Sequence, residues 1–342
     1  MTASSRRAPN RWVLGARPRT LPAAIVPVFV GTACAWGFSA PARGWFDYSP
    51  NSGVLIDGHG SGFLHAVNWL NFCMALVVAL ALQVATNYAN DYSDGKRGTD
   101  DPSKRVGPPR LVGNGLATAA EVKKAMIIAF GVALVAGGVL VVRVGWELIP
   151  VGIAAVAAGY FYTGGPKPYG YLGLGEAFVF VFFGVVATVG STYVQLAWLR
   201  GSGLSAFWRV AGSTMWLSAG CSVAVGCLAT ALLVVNNLRD IPGDTRSGKR
   251  TLAVHLGDRR TRWLYLSLIV APFVVLVFVG GLGNRPVASI AFGAVMVATQ
   301  PILKVLSGAK GRDLIPVLGE TGRLQMVFGA LLTIGLVVST YI

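Results

Sequence analysis

Nine runs of apolar residues, each near the length of a membrane crossing, alternate with short polar segments along the chain. They fall at about 21–38, 67–90, 125–142, 147–163, 176–199, 212–237, 263–282, 286–303 and 323–341. A hydrocarbon core about 30 Å thick takes roughly 20 mostly apolar residues per helix. Lipid offers no partner to backbone polar groups, so open spans must be helical. The pattern therefore predicts an all-α, polytopic membrane protein with nine transmembrane helices around a central cavity. Only Arg143 to Trp146 separate the third and fourth runs, which predicts a tight helical hairpin. The first run follows Arg17-Pro18-Arg19, is rich in proline and has no processing site, so it reads as a span and not a cleaved leader.

Composition agrees with this reading. Of 342 residues, 54% are hydrophobic and 13% charged, against about 25% charged in soluble proteins. That excludes a disordered chain, a soluble nucleic-acid binder and a secreted disulfide scaffold. Cys34, Cys73, Cys221 and Cys227 sit within apolar runs, without the paired spacing of a zinc site. The net charge of +15 is explained by its distribution. With a cytoplasmic N-terminus, all 29 Lys and Arg residues except Arg43, Arg143, Arg200, Arg209 and Arg285 fall on the cytoplasmic side, as the positive-inside rule requires. Nine is odd, so the C-terminus is expected outside. The chain reads as one integral-membrane domain, 1–342, in the cell membrane. Its extracytoplasmic loop at about 39–66 contains Asp57, His59 and His65 at no ligand-like spacing.

Six of only 14 acidic residues lie in two short segments. The first runs from Asn87 through Asn90, Asp91 and Asp94 to Asp100 and Asp101. The second runs from Asn236 and Asn237 through Asp240 to Asp244. Each begins at the cytoplasmic end of a long apolar span and passes into a basic loop. Residues four apart share a helix face, which pairs Asn87 with Asp91, Asn90 with Asp94, and Asn236 with Asp240. Asp244 joins the last pair if the helix persists past Pro242. A carboxylate at membrane depth costs about 3 kcal/mol even on insertion scales, and clustered like charges repel unless cations compensate. Oxygen ligands on two facing helices suit Mg²⁺, which shares its shell with waters and substrate phosphates. Asn87, Asp91, Asp94, Asn236, Asp240 and Asp244 are the candidate metal ligands, with Asp91 and Asp240 central to catalysis. Lys96, Arg97, Lys104, Arg105, Arg110, Arg246, Lys249 and Arg250 are the candidate diphosphate-binding cations. One such segment would pass for a salt-bridged juxtamembrane loop; two on the same side argue for a site.

These segments resemble the two Asp-rich motifs of the UbiA superfamily of intramembrane prenyltransferases. Further stretches are similar to its MenA-like branch, the 1,4-dihydroxy-2-naphthoate polyprenyltransferases of menaquinone synthesis. They are Ala16-Arg-Pro-Arg-Thr-Leu-Pro22, Arg105-Val-Gly-Pro-Pro-Arg110, Tyr162-Thr-Gly-Gly-Pro166, Tyr169-Gly-Tyr-Leu-Gly-Leu-Gly-Glu176 and Gly248-Lys-Arg-Thr251. The broader family's first motif commonly ends in an Asp eight residues after its leading Asn. Here that position is Gly98 or Gly95, and Asp100 and Asp101 are the loop candidates to replace it.

The resemblance implies nine transmembrane helices and two motifs that bind a polyprenyl diphosphate through Mg²⁺. It further implies transfer of the prenyl group to 1,4-dihydroxy-2-naphthoate with loss of carbon dioxide, giving demethylmenaquinol. Membrane lipid is the surrounding partner, with no nucleic acid; generic apolar walls leave prenyl length and oligomeric state open. Tyr160, Phe161 and Tyr162 are candidates to face an allylic cation, although an interfacial aromatic belt would use the same residues. Arg17 or Arg19 is the candidate for the acceptor carboxylate, with simple membrane anchoring as the alternative. His255 reads as a loop residue. A transporter, the main rival class, would place ionisable groups near midplane, where these spans are almost charge-free. A CDP-alcohol phosphotransferase would carry an Asp-Gly then Ala-Arg signature that is absent. A UbiA-type enzyme with another aromatic or sugar acceptor is the nearer alternative.

Overall fold

The computed structural model describes residues 10–36, 67–99, 106–200 and 213–342. Asp100, Asp101, Lys104, Arg105 and the expected 39–66 loop lie outside the described residues. Among the described residues every regular element is helical.

Each predicted span forms one helix. They are α2 (Pro22–Trp36), α3 (Trp69–Arg97), α4 (Ala119–Val144), α5 (Leu148–Phe161), α6 (Gly175–Ala197), α7 (Ser213–Arg246), α8 (Leu252–Gly281, kinked at Gly257), α9 (Pro286–Leu306) and α10 (Gly311–Val338). A short α1 (Arg11–Ala16) precedes them. Among the described residues seven helices are long and apolar enough to cross a membrane alone. The stretch Arg11–Thr20 meets α2 at a 51° bend, and the two together are long and apolar enough to count as an eighth span. The fourth predicted run, 147–163, is helical over only 14 residues. Its last residues leave the helix for the turn that carries Tyr162 and Thr163.

Burial identifies the centre of the bundle. The apolar window of α7 is 78% buried, whereas those of α4, α8 and α9 are 28% buried and face outward. The main core joins α2, α7, α8, α9 and α10 through Val30, Leu228, Tyr265, Ala291 and Phe328. A second core holds α3 against α4 and α1 through Tyr88, Leu111 and Met126. Against α7, α6 winds as a π-helix over Phe180–Val186. There Gly184 meets Gly226 so closely that a Cβ on Gly184 would lie 2.5 Å from the Gly226 Cα. Any side chain at that crossing would push the two backbones apart.

The polar ends of α3 and α7 lie at the same end of the bundle as α1, where the Tyr88 hydroxyl donates to the Trp12 carbonyl at 2.9 Å. At the opposite end the Trp36 indole N–H donates to Thr340 Oγ1 at 2.8 Å. The first described helix and the C-terminus thus lie at opposite ends of the bundle.

Candidate active site

The first motif occupies the last turns of α3, which closes at the left-handed Gly98. Its side chains split between two surroundings. Asp91 is 1% exposed and accepts from the Arg17 guanidinium, from Arg110 Nη1 at 2.6 Å and from the Leu111 N–H at 3.1 Å. Arg17 reaches it from a left-handed backbone conformation (φ 52°) between α1 and the bend, a strained geometry of the kind that clusters at functional sites. Asn87 Nδ2 donates to the Ala16 carbonyl at 2.9 Å, tying α3 to the same turn. Asn90 and Asp94 face elsewhere. Asn90 Oδ1 accepts from Thr163 Oγ1 at 2.7 Å, and Asp94 accepts from the Tyr171 hydroxyl and from Lys249 Nζ, the latter at 2.9 Å.

The second motif sits on α7, which continues through Pro242 to Arg246. Asn236, Asp240 and Asp244 therefore share a helical face. Arg239, 3% exposed, binds both Asp240 oxygens at 2.8 and 2.6 Å and Asn236 Oδ1 at 2.7 Å. Asn237 Nδ2 donates to Glu176 Oε1 at 2.9 Å and fixes the start of α6. Beyond the helix, the Lys249 N–H donates to the Asp244 carbonyl at 2.9 Å, which turns Lys249 back toward α3. Burial of Lys249 opposes its positive charge, but the Asp94 carboxylate beside it outweighs burial and holds its pKa above the usual lysine value. Burial, then the Asp94 charge, raise the pKa of the Tyr171 hydroxyl, which therefore keeps its proton for Asp94.

Both motifs open on one cavity of about 1040 Å³. Its mouth is lined by Asn87, Asn90 and Asp94 from α3, by Asn236, Asn237, Arg239, Asp240 and Asp244 from α7, and by Arg17, Arg19, Arg110 and Lys249. Its depths are apolar, walled by Ala79, Gly137, Val156, Phe182 and Leu232. From Asn87 down to Ala75 the chamber follows α3 for about 18 Å at 1.5 Å per residue. Leu134 and Ile153 line it and are also 60% and 66% exposed, so the chamber opens sideways toward the lipid region. Just inside the mouth stands a row of rings: Tyr162 edge-on to Tyr169 at 5.5 Å, Tyr169 stacked on Phe178 at 4.0 Å, and Phe178 on Phe182 at 6.0 Å.

Of the candidate residues, Asn87, Asp94, Asn236, Asp240, Asp244, Lys249, Arg17, Arg19 and Tyr162 line this cavity. Asp91 sits behind it, gripped by two arginines that do line it. Arg97 donates to the Thr163 and Gly165 carbonyls, so its guanidinium binds the α5–α6 turn. Lys96 and Arg250 are exposed, and Arg246 Nε donates back to the Pro242 carbonyl at 3.0 Å. Tyr160 packs on the α3–α4 core. Sequence reasoning missed Asn90 as a cavity residue, the clasp made by Arg239, and the ring row beyond Tyr162. Arg239 was within reach, because a residue three positions after Asn236 shares its face.

The donor set fits Mg²⁺: two groups of side-chain amide and carboxylate oxygens face one another across the mouth, the hard ligands this ion takes. Among the described residues no three acidic, His or Cys side chains converge to hold an ion by themselves. Arg239 and Lys249 already engage Asp240 and Asp94, which leaves part of a metal shell to water and substrate oxygens.

The UbiA prenyltransferase family profile matches residues 61–310. The chain is 44% identical over 319 residues to 1,4-dihydroxy-2-naphthoate octaprenyltransferase of Mycobacterium tuberculosis (strain ATCC 25618 / H37Rv), covering 93% of this chain and 94% of that one. It is 36% identical to the Escherichia coli (strain K12) protein of the same name, covering 94% and 92%. The fold is similar to the apo structure of a UbiA homolog from Aeropyrum pernix K1, with TM-score 0.63 at 13% identity over 91% of this chain and 97% of that one. It is also similar to a UbiA homolog from Archaeoglobus fulgidus bound to DMAPP and Mg²⁺, with TM-score 0.55 at 15% identity over 95% and 100%. Family profile, relatives and fold agree with the two opposed motifs at one cavity mouth: the chain belongs to the UbiA prenyltransferase family.

Proposed function

We propose that this protein transfers a polyprenyl group from its diphosphate to 1,4-dihydroxy-2-naphthoate, with decarboxylation to demethylmenaquinol, as a step of menaquinone synthesis. The observation that carries the reading is the union of both polar motifs with a ring-lined apolar chamber, in a chain so similar to proteins named for this acceptor. The whole chain, 1–342, acts in this reading as one integral-membrane unit of the cell membrane. Its N-terminus and motif loops are cytoplasmic and its C-terminus is extracytoplasmic.

The residues divide the work. Asn87, Asn90, Asp94, Asn236, Asp240 and Asp244 would hold Mg²⁺ and, through it, the diphosphate. Bound Mg²⁺ supplies charge neutralisation for the diphosphate as it leaves. Lys249 and Arg239 face the same oxygens and stabilise the charge that grows on them as the allylic C–O bond breaks. Lys96, Arg97, Arg246 and Arg250 lend a basic field around the entrance. Asp91 aims Arg17 and Arg110 at the cavity, where paired guanidinium groups suit the acceptor carboxylate; Arg19 adds charge at the rim. Tyr162, Tyr169 and Phe178 offer ring faces to positive charge on the allylic carbon. The apolar walls exclude water, which would otherwise capture that carbon, and the side opening gives a long tail a way into lipid.

Incubation of purified protein with a prenyl diphosphate, Mg²⁺ and a panel of aromatic acceptors tests this directly. Mass spectrometry should find the decarboxylated prenyl naphthalenediol; prenylation of another acceptor alone would move the assignment within the family.

A further inference from the structure

Tyr171 stands where the two motifs meet, on neither motif helix. It lies in the turn Tyr169–Leu172 between α5 and α6 and lines the cavity. Its hydroxyl donates to one Asp94 oxygen while Lys249 Nζ donates to the other at 2.9 Å. Its ring centroid is 4.7 Å from Lys249 Nζ and 5.4 Å from the Arg97 guanidinium, within cation–π range of both. The backbone is fixed as well: the Tyr171 carbonyl accepts from the Arg250 N–H at 3.0 Å. A tyrosine that merely filled space would need neither the hydroxyl contact nor two cations over its ring.

Asp94 and Lys249 cannot serve a metal and a diphosphate while they hold each other. An incoming diphosphate competes for the ammonium, and its departure frees one carboxylate oxygen. The Tyr171 hydroxyl holds the second oxygen, so the carboxylate does not turn away. The ring face meanwhile keeps the ammonium at the mouth and out of solvent. We propose that Tyr171 is a positioning residue for diphosphate capture, holding Asp94 and Lys249 in place as they exchange each other for the metal-bound diphosphate. This rests on the prenyl-transfer reading of the same site.

The test compares wild type with Tyr171→Phe and Tyr171→Leu in two readouts: calorimetric binding of a non-reactive prenyl thiodiphosphate with Mg²⁺, and steady-state kinetics. Tyr171→Phe keeps the ring and loses the hydroxyl. It should weaken analogue binding and raise the donor KM about tenfold, the scale of one hydrogen bond to a charged group, with kcat and acceptor KM unchanged. Tyr171→Leu should weaken binding about fivefold more, through loss of the ring face. A Phe variant that binds like wild type overturns the proposal, as does a loss confined to kcat. If Leu fails to fold, the Phe variant alone decides. Wild-type protein that binds the analogue yet prenylates none of the acceptors overturns the proposed reaction, while the Tyr171 comparison still stands on binding. Wild-type protein that binds no analogue overturns both.

Discussion

Lys249 donates to Asp94 at 2.9 Å across 155 positions of chain and so joins the two motifs by a nearly buried ion pair. Removing one partner of such a pair strands the other charge. Lys249→Met should therefore destabilise the protein by about 3 kcal/mol, and adding Asp94→Asn should restore part of it. Because folding raises the Lys249 pKa, its stabilising contribution is complete below the ordinary lysine pKa and is lost only as pH rises through the folded value. Thermal unfolding in detergent should show a constant gap between wild type and Lys249→Met from neutral pH to about 10, narrowing above it.

Asp91→Ala and Asp240→Ala should both cut prenyl transfer by about hundredfold or more, for different reasons. Without Asp91, Arg17 and Arg110 lose their aim, and misplacement of this order costs about hundredfold in rate. Excess Mg²⁺ should not rescue it. Asp240 faces the cavity, so its loss should cost at least about hundredfold and be partly relieved at high Mg²⁺. Metal titrations of the two variants separate the roles, and identical responses would contradict the division.

Chelation of divalent metal should stop turnover, with activity returning when Mg²⁺ is restored. The donor set at the mouth predicts this dependence, and full activity in excess chelator would remove the metal from the reaction.

The apolar chamber should discriminate donors by length. Gly138 lines it with nothing within 4 Å of a built Cβ, so Gly138→Phe should fold and intrude on the tail space. Competition between short and long prenyl diphosphates should shift toward the short donor by about tenfold in kcat/KM. An unchanged ratio would mean that the tail lies elsewhere.

Gly184→Val should fail differently. Its Cβ would lie 2.5 Å from the Gly226 Cα, which forces α6 and α7 apart and destabilises by about 1–3 kcal/mol. A lowered unfolding midpoint checks it.

Span positions were legible because lipid dictates both helix and length, and the two motifs because acids are so scarce in this chain. The direction each acid faces was not. A spacing of four places Asn87 and Asp91 on one helix face, but only tertiary packing reveals that Arg17 and Arg110 cover Asp91 while Asp94 meets Lys249. Periodicity also ends where helices end, so the fourth run looked longer than α5, and the turn residues Tyr169 and Tyr171 carried no signal beyond resemblance. Arg97 looked like its basic neighbours, yet two loop carbonyls claim its guanidinium.

The π-helix over Phe180–Val186 has a further consequence for register. Its wider turns accommodate an extra residue relative to an ordinary helix. Deleting one residue there would let α6 wind regularly with its first turns still aligned on its C-terminal half, because the widened turn already absorbs the extra residue. Deleting one residue from the regular turns that follow would instead rotate the first turns by about 100°. Glu176 would swing off Asn237, and the stacked pair Tyr169–Phe178 would come apart. A single-codon deletion in the regular part of α6 would thus unmake the entrance without removing an acid or a base from the chain.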